Sequence, residues 1–172
     1  MIIASTPRTV LRRFVEADAA PLAAVFGDAE VMRFGDGPQS EAWILAWLRE
    51  RLAEYACQEY GIWAVVLQGT ERPIGYCGLT RLADINGRAE IELGYRLAKE
   101  HWGRGLATEA ARAVRDLAFG RLGIPRLISL IDPGNARSAR VAEKLGMVHT
   151  DDVLLPGYTH PDRVYSCTPN GG

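Results

Sequence analysis

A chain of 172 residues, 48% hydrophobic and 24% charged, can bury one substantial core and is expected to form a single domain spanning 1–172. The net charge of −1, with Arg12-Arg13 the only adjacent basic pair, argues against a nucleic-acid binder. No apolar run is long enough to span a bilayer and no basic-then-apolar leader follows Met1, while Cys57, Cys77 and Cys167 form no Cys-x-x-Cys pair; the expectation is a cytoplasmic protein with reduced thiols, no disulfide and no metal.

Taken in order, Arg8 to Phe14 alternates apolar and polar residues and predicts a first strand. Asp18 stands where an N-cap belongs, ahead of a short helix to about Phe26. From Ser40 the apolar residues Ile44, Trp47, Leu48, Leu52 and Tyr55 recur at helical spacing, predicting a helix with one buried face. Trp43 and Trp47 on it read as core packing ahead of an aromatic substrate wall. Residues 61–67, 73–80 and 88–97 then read as three consecutive strands, the last two joined at Asn86-Gly87, a strong tight-turn dipeptide.

Residues 102–107, Trp-Gly-Arg-Gly-Leu-Ala, separate that meander from a helix with Leu106, Ala110, Ala113, Val114 and Leu117 on its buried stripe. A strand over 126–131 follows. Strand, helix, strand makes one right-handed crossover, so 88–97 and 126–131 are predicted to be parallel neighbours. Asn135 caps a last helix reaching Leu145, with Gly146 at its left-handed exit, and 147–155 with 163–168 reads as a closing hairpin.

The loop at 102–107 offers unpaired backbone N–H groups and the positive end of a helix dipole to an anion. Gly103-x-Gly105-x-x-Thr108 is a near miss to the dinucleotide fingerprint, but a meander followed by a single crossover is not a doubly wound sheet. On strand 88–97, alternation puts Glu90, Glu92 and Gly94 on one face, where either carboxylate could accept a proton. Both are equally readable as charges on a half-exposed sheet.

Residues 91–95 (Ile-Glu-Leu-Gly-Tyr), 102–110 (Trp-Gly-Arg-Gly-Leu-Ala-Thr-Glu-Ala), Asn135-x-x-Ser138 and 143–147 (Glu-Lys-Leu-Gly-Met) together resemble the GNAT acetyltransferase superfamily, and most closely its RimJ/RimL-type branch. The resemblance covers nearly the whole chain. It implies an α+β, three-layer fold: a mixed, mostly antiparallel sheet with one splayed parallel pair and helices on both faces. It also implies acetyl-CoA as co-substrate and an amine acceptor, with the chain acting as a monomer or homodimer.

By this likeness Trp102, Gly103, Arg104, Gly105, Leu106 and Ala107 wrap the pyrophosphate, aided by Thr108. Tyr95 and Leu97 pair through their backbones with the pantetheine arm, and Asn135 bonds it from the other side. Catalysis falls to Glu92 as base and to Ser138 as proton donor to the leaving thiolate, with Ser138 also against the cofactor. Many relatives carry a Tyr acid in the last helix; here that position is Ala142, so the phenol mechanism does not transfer. The implied activity is acetylation of a primary amine, foremost a peptide N-terminal α-amine. The alternatives are a small-molecule acetyltransferase and a non-catalytic acetyl-CoA-binding module.

Overall fold

The computed structural model describes residues 1–169 and 171. Its frame is an eight-stranded sheet in the order β1-β2-β3-β4-β5-β6-β8-β7, with β1 Ile2–Ser5, β2 Thr9–Arg12, β3 Ile62–Leu67, β4 Pro73–Ile85, β5 Arg88–Leu97, β6 Leu127–Ile131, β7 Val148–Val153 and β8 Asp162–Cys167. All neighbours are antiparallel except β5 and β6. Helices α1 (Ala19–Phe26) and α2 (Glu41–Glu54) cover one face, and α3 (Leu106–Gly120) and α4 (Ala136–Lys144) the other. Among the described residues no helix is long and apolar enough to cross a membrane.

This layering explains why β3 reads as a continuous apolar run. Trp63 and Val65 pack with Leu106, Ala110 and Val114 of α3, while Ala64 and Val66 pack with Leu22, Phe26, Ile44 and Leu48 of α1 and α2. A strand buried on both faces has no polar alternation to show. On α3 the alanines at 110, 111 and 118 are fully buried and let its backbone lie close to the sheet.

Three local expectations change. The predicted first strand contracts to Thr9–Arg12 and gains a partner the pattern did not reveal, the edge strand β1. Asp18 makes no side-chain cap to α1. Its buried carboxylate accepts two hydrogen bonds from the Arg12 guanidinium (2.7 and 2.8 Å) and one from the Val15 N–H. β4 runs on to Ile85 instead of stopping at Thr80, bending at an irregularity between Leu82 and Ile85. The other elements stand close to their expected places. Ser40 caps α2 through the Trp43 N–H, and Asn86 and Gly87 take left-handed backbone (φ 53° and 88°) in the β4–β5 turn. Trp43 and Trp47 stack on each other and meet Phe26 edge-on and tilted, with Trp47 also against Tyr76; this is packing, with Trp43 left partly exposed. Cys57 is exposed, Cys77 and Cys167 are buried, and all three are free.

What matters most for the site is how little β5 and β6 share. Their only paired position is Glu92 with Ile128; beyond it the strands part. Ser129, buried at the fork, donates its hydroxyl to the Leu93 carbonyl at 2.7 Å. Gly94 to Leu97 therefore run past the fork without a β6 partner.

Candidate functional site

A cavity of about 810 Å³ opens in this fork and passes through the sheet. Of the residues expected to serve the site, it is lined by Glu92, Tyr95, Leu97, Trp102, Gly103, Gly105, Leu106, Ala107, Thr108, Asn135 and Ser138. Arg104 is the exception. Its guanidinium lies 3.4 Å from His101 Nδ1, and it is not among the lining residues.

On the α3 side, Gly103 and Gly105 adopt left-handed backbone (φ 72° and 77°), conformations a Cβ disfavours. Gly105 is the N-cap of α3, and the first intrahelical bond there is from Glu109 N–H to the Gly105 carbonyl. The amides of Leu106, Ala107 and Thr108 thus have no partner within the helix, and these residues line the cavity at its positive end.

Sequence reasoning missed what holds this loop. Arg8 Nη1 donates to the Arg104 carbonyl at 2.9 Å, and its Nε donates to Glu109 at 2.7 Å. The Arg8 N–H and the Thr6 hydroxyl also donate to Glu109 Oε1. Burial alone would raise the Glu109 carboxyl, but these donors hold it below its ordinary value. The residue just before β2 and the first turn of α3 therefore clamp the loop between them.

Across the cavity, α4 presents Arg137, Arg140 and Lys144. Arg137 stacks over the Trp102 ring at 4.5 Å, and the Trp102 indole N–H donates to the Leu97 carbonyl at 2.8 Å. That bond takes one lone pair of the Leu97 carbonyl. Asn135 accepts the Ser138 N–H at 3.1 Å as a helix cap, leaving its amide NH₂ available. The Tyr95 hydroxyl donates to the Ser138 carbonyl at 2.8 Å and ties β5 to α4. Ala142, fully buried beside it, leaves room for the Tyr95 ring under the helix. Burial, with the Cys77 and Glu92 charges adding, raises the Tyr95 phenol far above its usual range, so it stays a protonated donor.

The two carboxylates of β5 separate. Glu90 is 6% exposed and bonded to Arg88 and Arg126 at 3.0 and 3.2 Å. It lies under the joined part of the sheet, two residues before the fork, and does not line the cavity; the expectation that both carboxylates face a cleft is corrected. Glu92 stands at the fork itself. Burial pushes its carboxyl up to about 6, against the Leu130 N–H that favours the charged form, with Asp162 adding to the rise. A group with this value is ionised at neutral pH yet basic enough to accept a proton.

Asp162 was not anticipated. It lines the cavity next to Glu92, its carboxyl raised by burial and by Asp132. Asp132 itself accepts from His160 (2.8 Å) and from the Gly134 N–H, which outweigh burial and lower it. His160, half exposed, serves as this partner.

Comparison with known proteins bears on this architecture. The family model for the acetyltransferase (GNAT) domain matches residues 8–148. The protein YkkB of Bacillus subtilis (strain 168) is 33% identical over 149 residues, covering 86% of each chain. An acetyltransferase of Agrobacterium tumefaciens str. C58 superposes with a TM-score of 0.80 at 31% identity, over 96% of this chain and 93% of that one. An aminoglycoside acetyltransferase solved with coenzyme A shares the fold at 23% identity, with a TM-score of 0.77 over 94% and 95% of the two chains.

Proposed function

The chain belongs to the GNAT acetyltransferase family and is an N-acetyltransferase, and from that premise we propose that it transfers acetyl from acetyl-CoA to a low-pKa primary amine, foremost a peptide N-terminal α-amine. The family uses acetyl-CoA, and the residues fit it. A left-handed glycine pair at a helix N-terminus suits a pyrophosphate, the unpaired edge of β5 suits the amides of an extended arm, and α4 supplies cations.

Acetyl-CoA supplies an activated thioester. The loop at 102–107 and the first turn of α3 hold the phosphates. The Tyr95 N–H, on the unpaired edge of β5, polarises the thioester carbonyl. Glu92, directly or through a water, takes the proton the amine loses as its nitrogen bonds the acetyl carbon. The carbon–sulfur bond breaks, and the Ser138 hydroxyl donates a hydrogen bond or relays a proton to the sulfur. Ala142 offers no phenol for this step, and the Tyr95 hydroxyl is committed to the α4 backbone.

The single observation that carries the acceptor class is the place of Glu92: it stands at the fork of β5 and β6 and lines the cavity as a carboxylate base, with Ala142 offering no phenol opposite. An α-amine with a pKa of about 8 is roughly a tenth neutral at pH 7, whereas a lysine amine at about 10.4 needs about 3 kcal/mol more deprotonation work. A carboxylate of moderate basicity, with no strong acid opposite, suits the first. Steady-state rates with Ser- and Ala-starting peptides against a terminus-blocked lysine peptide test this. Preference for lysine overturns the α-amine assignment and leaves acetyl transfer in place.

A further inference from the structure

The side of the cavity facing away from α3 and α4 has a two-strand floor. Glu92, Gly94 and Arg96 alternate along β5 there, opposite Thr80, Gly78 and Tyr76 of β4. Gly78 and Gly94 are paired at the middle of this floor, and a Cβ on Gly94 would meet no atom within 4 Å. Along β5 the floor thus reads carboxylate, open depression, guanidinium.

Arg96 is the one member of this row without an evident task. Its Nη1 lies 2.9 Å from Met32 Sδ, and a thioether is a weak acceptor for a guanidinium. Among the described residues no carboxylate pairs with it. Glu92 and Arg96 stand about 13 Å apart along the strand at its ordinary rise, too far for the two to pair across the glycine. The other charges facing this space are accounted for. Arg33 stacks on Phe34 and lies near Asp132, Asp132 is bonded to His160, and Glu30 is paired with Lys99. Asp162 lies within 4.8 Å of the Asp132–His160 pair, so Glu92 remains at one end and Arg96 at the other. Such a row calls for a ligand with a cation or amine at the first end and an anion at the second.

We infer that the acceptor carries a carboxylate along with its amine, and that Arg96 holds it. This rests on the proposed acetyl transfer, with the amine at Glu92. A guanidinium presents two parallel N–H donors that match a carboxylate. A phosphate offers the same oxygens but brings up to two charges toward Glu92 and Asp162, so the singly charged group is favoured. The carboxylate has two sources: the α-carboxylate of a free amino acid, or an acidic side chain just behind a peptide's N-terminus.

The test measures kcat/KM for matched pairs: glycine, alanine, serine and methionine against their α-amides, and Ser-Asp and Ala-Glu peptide amides against their Ser-Asn and Ala-Gln forms. Spermidine serves as a carboxylate-free amine. In at least one arm the acid-bearing member is expected to exceed its neutral partner by about 10- to 100-fold, the range for a charge-assisted hydrogen bond. The arm showing it names the source. In Arg96→Gln that ratio falls toward one while calorimetric CoA affinity stays at the wild-type value; Arg96→Lys, which keeps charge without the fork, gives an intermediate ratio should the first variant fold poorly. Equal use of acids and amides overturns the inference, as does a ratio that survives in Arg96→Gln. Turnover of spermidine alone overturns it too, leaving acetyl transfer intact. Tight CoA binding with no turnover of any amine removes the underlying reading itself.

Discussion

Replacing Glu92 by Gln separates the base role from a structural one, because burial affects stability and rate in opposite directions. The Glu92 carboxyl rises from its ordinary 4.5 to about 6 in the folded chain, chiefly through burial. Between these values the folded state holds the proton more tightly than the unfolded state, so stability falls as pH rises through this window. Above pH 7 the full cost is present, about 2 kcal/mol. Gln keeps an acceptor for the Leu130 N–H and cannot ionise. Glu92→Gln is therefore expected to melt about 4–8 °C above wild type at pH 8 and to match it near pH 4. In the same variant kcat should fall by about 10²- to 10⁴-fold, with CoA affinity unchanged and the acid limb of the wild-type pH–rate profile near 6 abolished. Thermal unfolding at the two pH values, a thiol-release rate profile and calorimetry with CoA make the comparison. Equal melting at pH 8 would refute the desolvation of Glu92; an unchanged rate would send the proton elsewhere.

Gly105→Val places a β-branched residue at φ 77°, with Arg8 Nη2 3.4 Å from the new Cβ; CoA binding should weaken by tenfold or more, with the fold retained by circular dichroism. Ala142→Tyr, which supplies the phenol many relatives carry, should fail to raise kcat and should destabilise by about 1–3 kcal/mol, because the Tyr95 ring already fills that space; denaturant unfolding measures the loss. Ser138→Ala leaves the carbonyl that anchors Tyr95 and removes only the hydroxyl. A fall in kcat of about tenfold with unaltered melting marks a relay, and an unaltered kcat removes Ser138 from the chemistry.

Much of this was legible because the sequence carries periodicity wherever an element has one exposed face. Strand β5 and the Asn86-Gly87 turn stand where alternation and turn chemistry put them. The loop residues, read from glycine spacing and family likeness, do line one cavity. What was hidden depends on relations a linear pattern does not carry. Glu90 and Glu92 share a face by period, but only the position at which β5 and β6 part decides that one is salt-bridged and the other opens on the cavity. Leu97 was assigned by its backbone, and the indole reaching its carbonyl comes from outside the strand. Asp162 sits in a stretch with no motif, and Arg96, Arg137, Arg140 and Lys144 lie beside or within motifs whose spacing gives them no role. β1 is four residues at an edge, too short for alternation to register.

The clamp of Arg8 and Glu109 joins residues separated by about a hundred positions, and its consequence lies in the order of assembly. Residues 6–8 are synthesised ahead of Glu109 and have nothing to hold until α3 is made. Contacts of such sequence separation form late, since the intervening loop must close first. The phosphate loop therefore acquires its final shape only after the opening strands dock. Cofactor affinity then reports that the last long-range contact is in place. Trimming or tagging the first eight residues should be felt at the phosphate loop, as weakened CoA binding.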